Sequence, residues 1–151
     1  DVSTLGFGFF GKLEYTDASE NENVVKVYIP DSVTYVNPYA FFGVSWSIEI
    51  TMPSSLSLTG GAVDSWTEGE FNIKLYGGGE IPELAYKSMG IKSITIPKEV
   101  TSIGYGAFSG CYKLTNITIP NTVTSIDSCI LDGCDGLETI TMPCSMYLRK
   151  R

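Results

Sequence analysis

The sequence predicts an α/β repeat solenoid: about six coils on a short parallel β-sheet, mostly strand and loop, with short helical or 3-10 return segments. Three observations carry that expectation. Prolines recur at a fixed interval: Pro97, Pro120 and Pro143 are each 23 residues apart, and Pro30 and Pro53 are separated by the same step. Residues before each proline alternate apolar and polar, whereas those after it are apolar at spacings of three and four. Hydrophobic residues make up 43% of the 151. One copy alone would leave its apolar side wet, and stacking the copies buries it as a continuous core.

Taken in order, residues 1–23 hold Phe7, Phe9, Phe10 and Leu13 and then an acidic run from Glu14 to Glu22. They suit an N-terminal cap over the open end of the stack. The solenoid is expected over 24–146. Its central strand residues are Tyr28, Thr51, Lys74, Thr95, Thr118 and Thr141, at steps of 23, 23, 21, 23 and 23. Each strand stops at a proline, which lacks the amide for a further ladder bond. In the third copy, that of Lys74, Tyr76 stands where that proline belongs. The second half of a copy reads Val100-x-x-Ile103-x-x-x-Ala107-Phe108-x-Gly110-Cys111 and predicts a bent, partly helical return. Gly110 and Gly133 offer positive φ where the chain turns back.

Residues 54–90 are expected to be irregular, with a loop or bulge on the convex or lateral side. The stretch from Leu56 to Glu70 replaces the repeat pattern, and Gly77-Gly78-Gly79 fills the turn before Ile81, Ala85 and Tyr86 restore it. Trp66 with Asp64, Glu68, Glu70, Glu80 and Glu83 is a candidate contact patch. A drifted repeat whose tryptophan fills space explains the same residues more simply. Arg149 falls at a core position of the last copy, so residues 147–151 read as a polar closing tail.

Composition removes several function classes. The chain has no histidine, so no Ser–His or Cys–His pair and no His-ligated zinc site can form within it. A formal charge of −7 disfavours a broad grip on nucleic acid or an anionic membrane. No window reaches the ~18 consecutive apolar residues of a membrane span. The start, Asp1 to Leu5, shows no basic or apolar signal region, leaving either a cytosolic chain or a mature one whose signal has been removed.

Cys111 and Cys134 share a repeat position and read as small buried thiols, since their parallel side-chain directions disfavour a disulfide. Cys129 and Cys144 fall at polar positions. The carboxylates around Asp132 and Asp135, and Asp17, Glu20 and Glu22, lack calcium-loop spacing. Asn116-Ile117-Thr118 fits a glycosylation sequon, although within a strand. No cofactor or metal is expected.

The pattern Leu-x-x-Ile-x-Ile-Pro-x-x-Val-x-x-Ile-x-x-x-Ala-Phe-x-Gly-Cys resembles the Treponema-type, BspA-like leucine-rich repeat. Residues 91–134 match it closely. Val24–Gly43 match through Val27, Ile29, Pro30, Val33, Val36, Ala40, Phe41 and Gly43. The resemblance implies a right-handed leucine-rich solenoid with parallel strands, in secreted or cell-surface bacterial proteins and some protists. It also implies adhesion or binding to surface components and brings no catalytic residues.

The exposed strand face is the candidate site: Tyr28, Thr51, Lys74, Thr95, Thr118 and Thr141. Trp66, Glu68 and Glu70 of the irregular segment are a second candidate. A second track, Lys26, Glu49, Asn72, Ser93, Asn116 and Thr139, runs beside the first, and only one of the two is expected to point outward. A regular Thr row also suits ice binding, but Tyr28 and Lys74 interrupt it, and Thr is a good strand residue in any case. The expected function is a non-catalytic binding or adhesion module recognising a protein or glycan, with a structural spacer of a larger surface protein as the alternative.

Overall fold

The computed structural model describes residues 4–5, 24–37, 39–41, 47–58 and 70–144. The expected cap (apart from residues 4–5), the closing tail, Trp66 and Glu68 lie outside them. Over the described residues the chain is a parallel β-solenoid. Its main wall is a six-stranded sheet of β2 (Val24–Tyr28), β4 (Ser47–Pro53), β5 (Phe71–Tyr76), β7 (Ile91–Thr95), β9 (Asn116–Thr118) and β11 (Thr139–Thr141), each beside the next. A second wall consists of β6 (Gly79–Ile81), β8 (Val100–Ile103) and β10 (Ser125–Ile126). A separate two-stranded pairing joins β1 (Thr4–Leu5) to β3 (Tyr35–Val36). Three turns, those begun by β5, β7 and β9, therefore carry a strand on both walls. Every pairing is parallel, because each strand reaches its neighbour only after a full circuit of the chain.

Alternation along each strand places the core. Ile48, Ile50 and Met52 of β4 and Phe71, Ile73 and Leu75 of β5 are buried, as are Ile94, Ile117 and the Ile29 and Ile119 that follow their strands. From β3 comes Val36, from the second wall Ile81, Val100 and Ile103, and from the return segments Ala40–Phe41, Ala85–Tyr86 and Ala107–Phe108. Each buried aliphatic side chain contributes about 1.5–3 kcal/mol. Phe41 meets Phe71 edge to face at 5.8 Å, and Tyr86 stacks on Phe108 at 5.6 Å. Ile140 of β11 holds the position of Ile117 but is 44% exposed.

Corners between the walls are tight turns. The carbonyls of Pro30, Pro53, Pro97 and Pro120 accept from the amides of Val33, Leu56, Val100 and Val123 at 3.0–3.1 Å. In the third copy Tyr76-Gly77-Gly78-Gly79 makes the corner without proline, and Gly79 donates instead to Glu99 of the next turn. This is one of two places where that copy is short. Gly79 faces Val100 and Glu80 faces Ser102, so Thr101 has no counterpart. The second lies at Met89-Gly90-Ile91, opposite the longer Cys111-Tyr112-Lys113-Leu114. Residues 70–90, expected to be irregular, keep both walls through these single-residue adjustments.

The return segments are where expectation and structure part. They are not helical among the described residues but successions of turns. Alternate amides bond in two directions. Those of Ala85, Lys87 and Met89 bond locally, to Pro82, Leu84 and Tyr86. Those of Leu84, Tyr86 and Ser88 bond along the stack, to Tyr105, Ala107 and Ser109, at 2.7–2.8 Å. The next turn repeats this, with Gly106, Phe108 and Gly110 bonding to Ser128, Ile130 and Asp132. A helix would turn every amide inward along its own axis, whereas this path shares them with the neighbouring turn. It requires left-handed backbone twice per turn. Leu84, Gly106 and Cys129 have φ of 53°, 57° and 59°, and Ser88, Gly110 and Gly133 have 57°, 72° and 69°.

Left-handed backbone costs an L-residue about 1–2 kcal/mol relative to glycine. Gly110→Ala is therefore expected to lower stability by about that amount, aggravated by a Cβ only 3.0 Å from Ser88 Oγ. Cys129→Gly, at an exposed position, is expected to raise stability by about 0.5 kcal/mol once the added freedom of the unfolded chain is deducted. Urea-unfolding midpoints read both changes, and a destabilised Cys129→Gly would contradict the requirement.

Candidate functional site

The outer face of the main sheet is built directly by strand periodicity. Inward residues at Val27, Ile50, Ile73, Ile94, Ile117 and Ile140 leave their neighbours on either side facing out. Residues two apart on a strand share a face. The two candidate tracks differ by two positions in every copy, so both point outward, which corrects the expectation that only one does. Register confirms the pairing: Lys26, Glu49, Asn72, Ser93, Asn116 and Thr139 form one row. Tyr28, Thr51, Lys74 and Thr95 follow one another in the second, and Thr118 lies opposite Thr141. Tyr28, Lys74, Thr95, Thr118 and Thr141 are exposed and Thr51 is half-buried. The face is thus two side-chain rows wide and six strands long.

Chemistry along it changes from one end to the other. Toward β11 it is made of hydroxyls and one amide, with Asn116 Nδ2 donating to Thr115 Oγ1 at 3.3 Å. Toward β2 it is charged and aromatic. Lys74 pairs with Glu49 at 3.0 Å, and Ser93 Oγ donates to Asn72 Oδ1 at 2.6 Å. A bulge falls between these regions: Phe71 faces Ile91 but Asn72 faces Ser93, which puts Lys92 out of the ladder. There Lys92 pairs with Glu70. The Glu70 amide also donates to Ser47 Oγ at 3.1 Å. Of the second candidate group, Glu70 is therefore tied to the sheet, while Trp66 and Glu68 are outside the described residues.

One residue that sequence reasoning left out of the site completes the aromatic end. Tyr76, in the place of the missing proline, lies opposite Pro53, and its ring stacks on Tyr28 with centroids 5.6 Å apart and planes 10° from parallel. Its hydroxyl donates to the Ile29 carbonyl at 2.9 Å, two strands away. Partial burial, hydrogen bonding with Tyr28 and Asp31, and the Asp31 charge hold this phenol well above its ordinary pKa. The sequence signal was available: an aromatic replaces proline at one corner only, two copies from the one tyrosine in the central row.

Beneath the return segments is a buried polar column. Tyr86 is fully buried, and its hydroxyl donates to the Leu56 carbonyl at 3.2 Å. Cys111 and Cys134 occupy equivalent places in successive turns. Their thiols donate to Tyr86 and Phe108 carbonyls, each at 3.1 Å. Both cysteines are free, as are the exposed Cys129 and Cys144. Burial pushes the Cys111 thiol up to about 12, with Cys134 adding to the rise and a Met89 backbone bond opposing it. Burial likewise raises Cys134 and Tyr86. A thiol held in this form is a poor nucleophile. Among the described residues no three Cys, Asp or Glu gather to hold a metal ion, and no helix is long and apolar enough to cross a membrane.

Comparison with known families finds six copies of the BspA type leucine rich repeat region, covering residues 15–63 and 79–149. No curated protein and no solved structure matches the chain.

The buried column predicts an alkaline limit. The Cys111 pKa is raised from 9.0 to about 12, so its contribution is complete below pH 9 and is lost as pH climbs toward 12. In that window the unfolded chain holds fewer protons, and stability falls by up to about 1.4 kcal/mol per pH unit from this group. Cys111→Ala is expected to lower stability at pH 7 yet flatten its decline between pH 9 and 11. Urea unfolding across that range measures the slope, and an unchanged slope would show that Cys111 does not set it. Tyr86→Phe, which leaves the Leu56 carbonyl without its donor, should cost about 1–3 kcal/mol at neutral pH.

Proposed function

Because the chain belongs to the BspA-type leucine-rich repeat family, whose repeats form generally non-catalytic scaffolds often engaged in protein binding or adhesion, we propose that it is a recognition module. It works in a secreted or cell-surface protein of bacterial type and binds a protein or glycan through the outer face of its main sheet. The carrying observation is the face itself: two rows of exposed or half-exposed polar side chains in register over six strands. Such a surface is preformed, because every side chain on it is mounted on a strand paired with its neighbours. Little ordering entropy is then lost on binding. Recognition would be spread over many hydrogen bonds of modest strength, with no bond made or broken.

The lack of histidine and the inert state of the Cys111 and Cys134 thiols favour this reading over an enzymatic one. The family's usual setting, at the surface or outside the cell, supports the location.

Binding to immobilised extracellular-matrix proteins and surface glycoproteins tests the assignment. Thr95→Arg, Thr118→Arg and Thr141→Arg together place three long cations on one row without touching the core. The triple variant is expected to lose at least tenfold in affinity for any surface that wild type binds, about 1.4 kcal/mol. Equal binding by the two proteins would remove the strand face from consideration.

A further inference from the structure

We infer that Tyr28, backed by Tyr76 and flanked by Asp31, is a stacking subsite for a gluco-configured pyranose ring of a β-linked glycan. The inference rests on the recognition-module reading and assigns it a ligand class. It begins with an anomaly of exposure. Tyr28 is 65% exposed although it sits in a strand of the main sheet and lies ring to ring against Tyr76. One face of its ring is therefore occupied and the other is open to solvent. Tyr76 cannot swing away from its side of the stack without breaking the 2.9 Å bond from its hydroxyl to the Ile29 carbonyl. The platform is braced across two strand spacings, a rigidity that packing of a single tyrosine does not need.

The chemistry around the platform selects among the ligands that an aromatic face accepts. An aromatic face carries negative quadrupole, so it attracts cations or the weakly positive C–H groups of a sugar. A cationic ligand would call for a surplus of negative charge, and the charges here cancel. Lys74 is paired to Glu49 at 3.0 Å, and the unlike charges of Lys26 and Asp31 stand on either side of Tyr28 in the chain. What remains is hydrogen-bonding capacity at the platform's edge, where the Asp31 carboxylate approaches the Tyr76 hydroxyl. A gluco-configured ring matches both demands. Its equatorial hydroxyls leave axial hydrogens to cover the flat Tyr28 face, and they project outward toward Asp31. A carboxylate accepts from two neighbouring hydroxyls. In a β-linked chain the rings follow one another in an extended line, which suits a flat sheet face rather than a closed pocket.

Titration with cellohexaose and chitohexaose, followed by calorimetry and by the tyrosine ring resonances, tests the subsite on the whole chain. Wild type is expected to bind at least one of them. Tyr28→Ala should lose about tenfold or more, equivalent to about 1.4 kcal/mol, while Tyr28→Phe and Tyr28→Trp stay within about threefold. Asp31→Asn should weaken binding several-fold, and Thr118→Arg, far along the face, should leave it unchanged. Urea midpoints for Tyr28→Ala check that the sheet is intact. Equal loss in Tyr28→Phe and Tyr28→Ala, or no loss in either, overturns the stacking role. Failure of wild type to bind either hexasaccharide also overturns it. If matrix-protein binding is then still lost in the triple arginine variant, the recognition-module reading stands and the glycan subsite alone falls.

Discussion

Every turn of this chain must hand its backbone hydrogen bonds to the next turn, and that single requirement governs the rest. On the main wall the transfer is an ordinary parallel ladder. On the return side it is less usual, since alternate amides leave the local turn and donate along the stack. A buried amide or carbonyl without a partner is costly, so a turn is confined to lengths that keep all of these donors opposite their acceptors. Twenty-three residues satisfy it. Where the third copy is shorter, the loss is split into two single-residue adjustments at the glycine corner and near Gly90, and a bulge at Lys92 restores the register. The ladder is preserved and the side chains carry the irregularity.

That irregularity coincides with the most chemically distinctive part of the face. A chain of identical repeats would place the same residues at every position and offer a uniform row. Here the corner without proline supplies Tyr76, whose ring covers one side of Tyr28, while the bulge brings Lys92 to Glu70. Departures from the repeat thus concentrate aromatic and charged groups from β2 to the bulge of β7, while β9 and β11 keep a surface of hydroxyls and one amide. Rigid mounting by the ladder is what lets such local differences persist as a defined surface.

The interior follows the same axial logic. Tyr86 and Phe108 stack one above the other because they hold the same repeat position, and the thiols of Cys111 and Cys134 each donate to the carbonyl of the preceding aromatic. A small, weakly polar side chain fits a site where a carbonyl must be satisfied and there is no room for more. The positions that look most reactive by residue type are thereby made inert.

Much of this was legible in the sequence. The proline interval and the alternation around it determined the parallel sheet, its six strands and their register, including the shortened step at Lys74, because periodic chemistry can be satisfied only by periodic geometry. Ala107 and Phe108 as inward residues, and Cys111 as a buried thiol, followed from the same spacing. Tertiary structure decided what depends on contacts between turns. The return path is a series of turns and not a helix, because its amides are shared with neighbours that the sequence does not name. Leu84, Ser88 and Cys129 adopt left-handed backbone that nothing in their side chains announces. Both outward tracks are presented together, and Tyr76 meets Tyr28 across 48 positions, two turns and two further residues along the strand, a relation that only the stacking of turns creates.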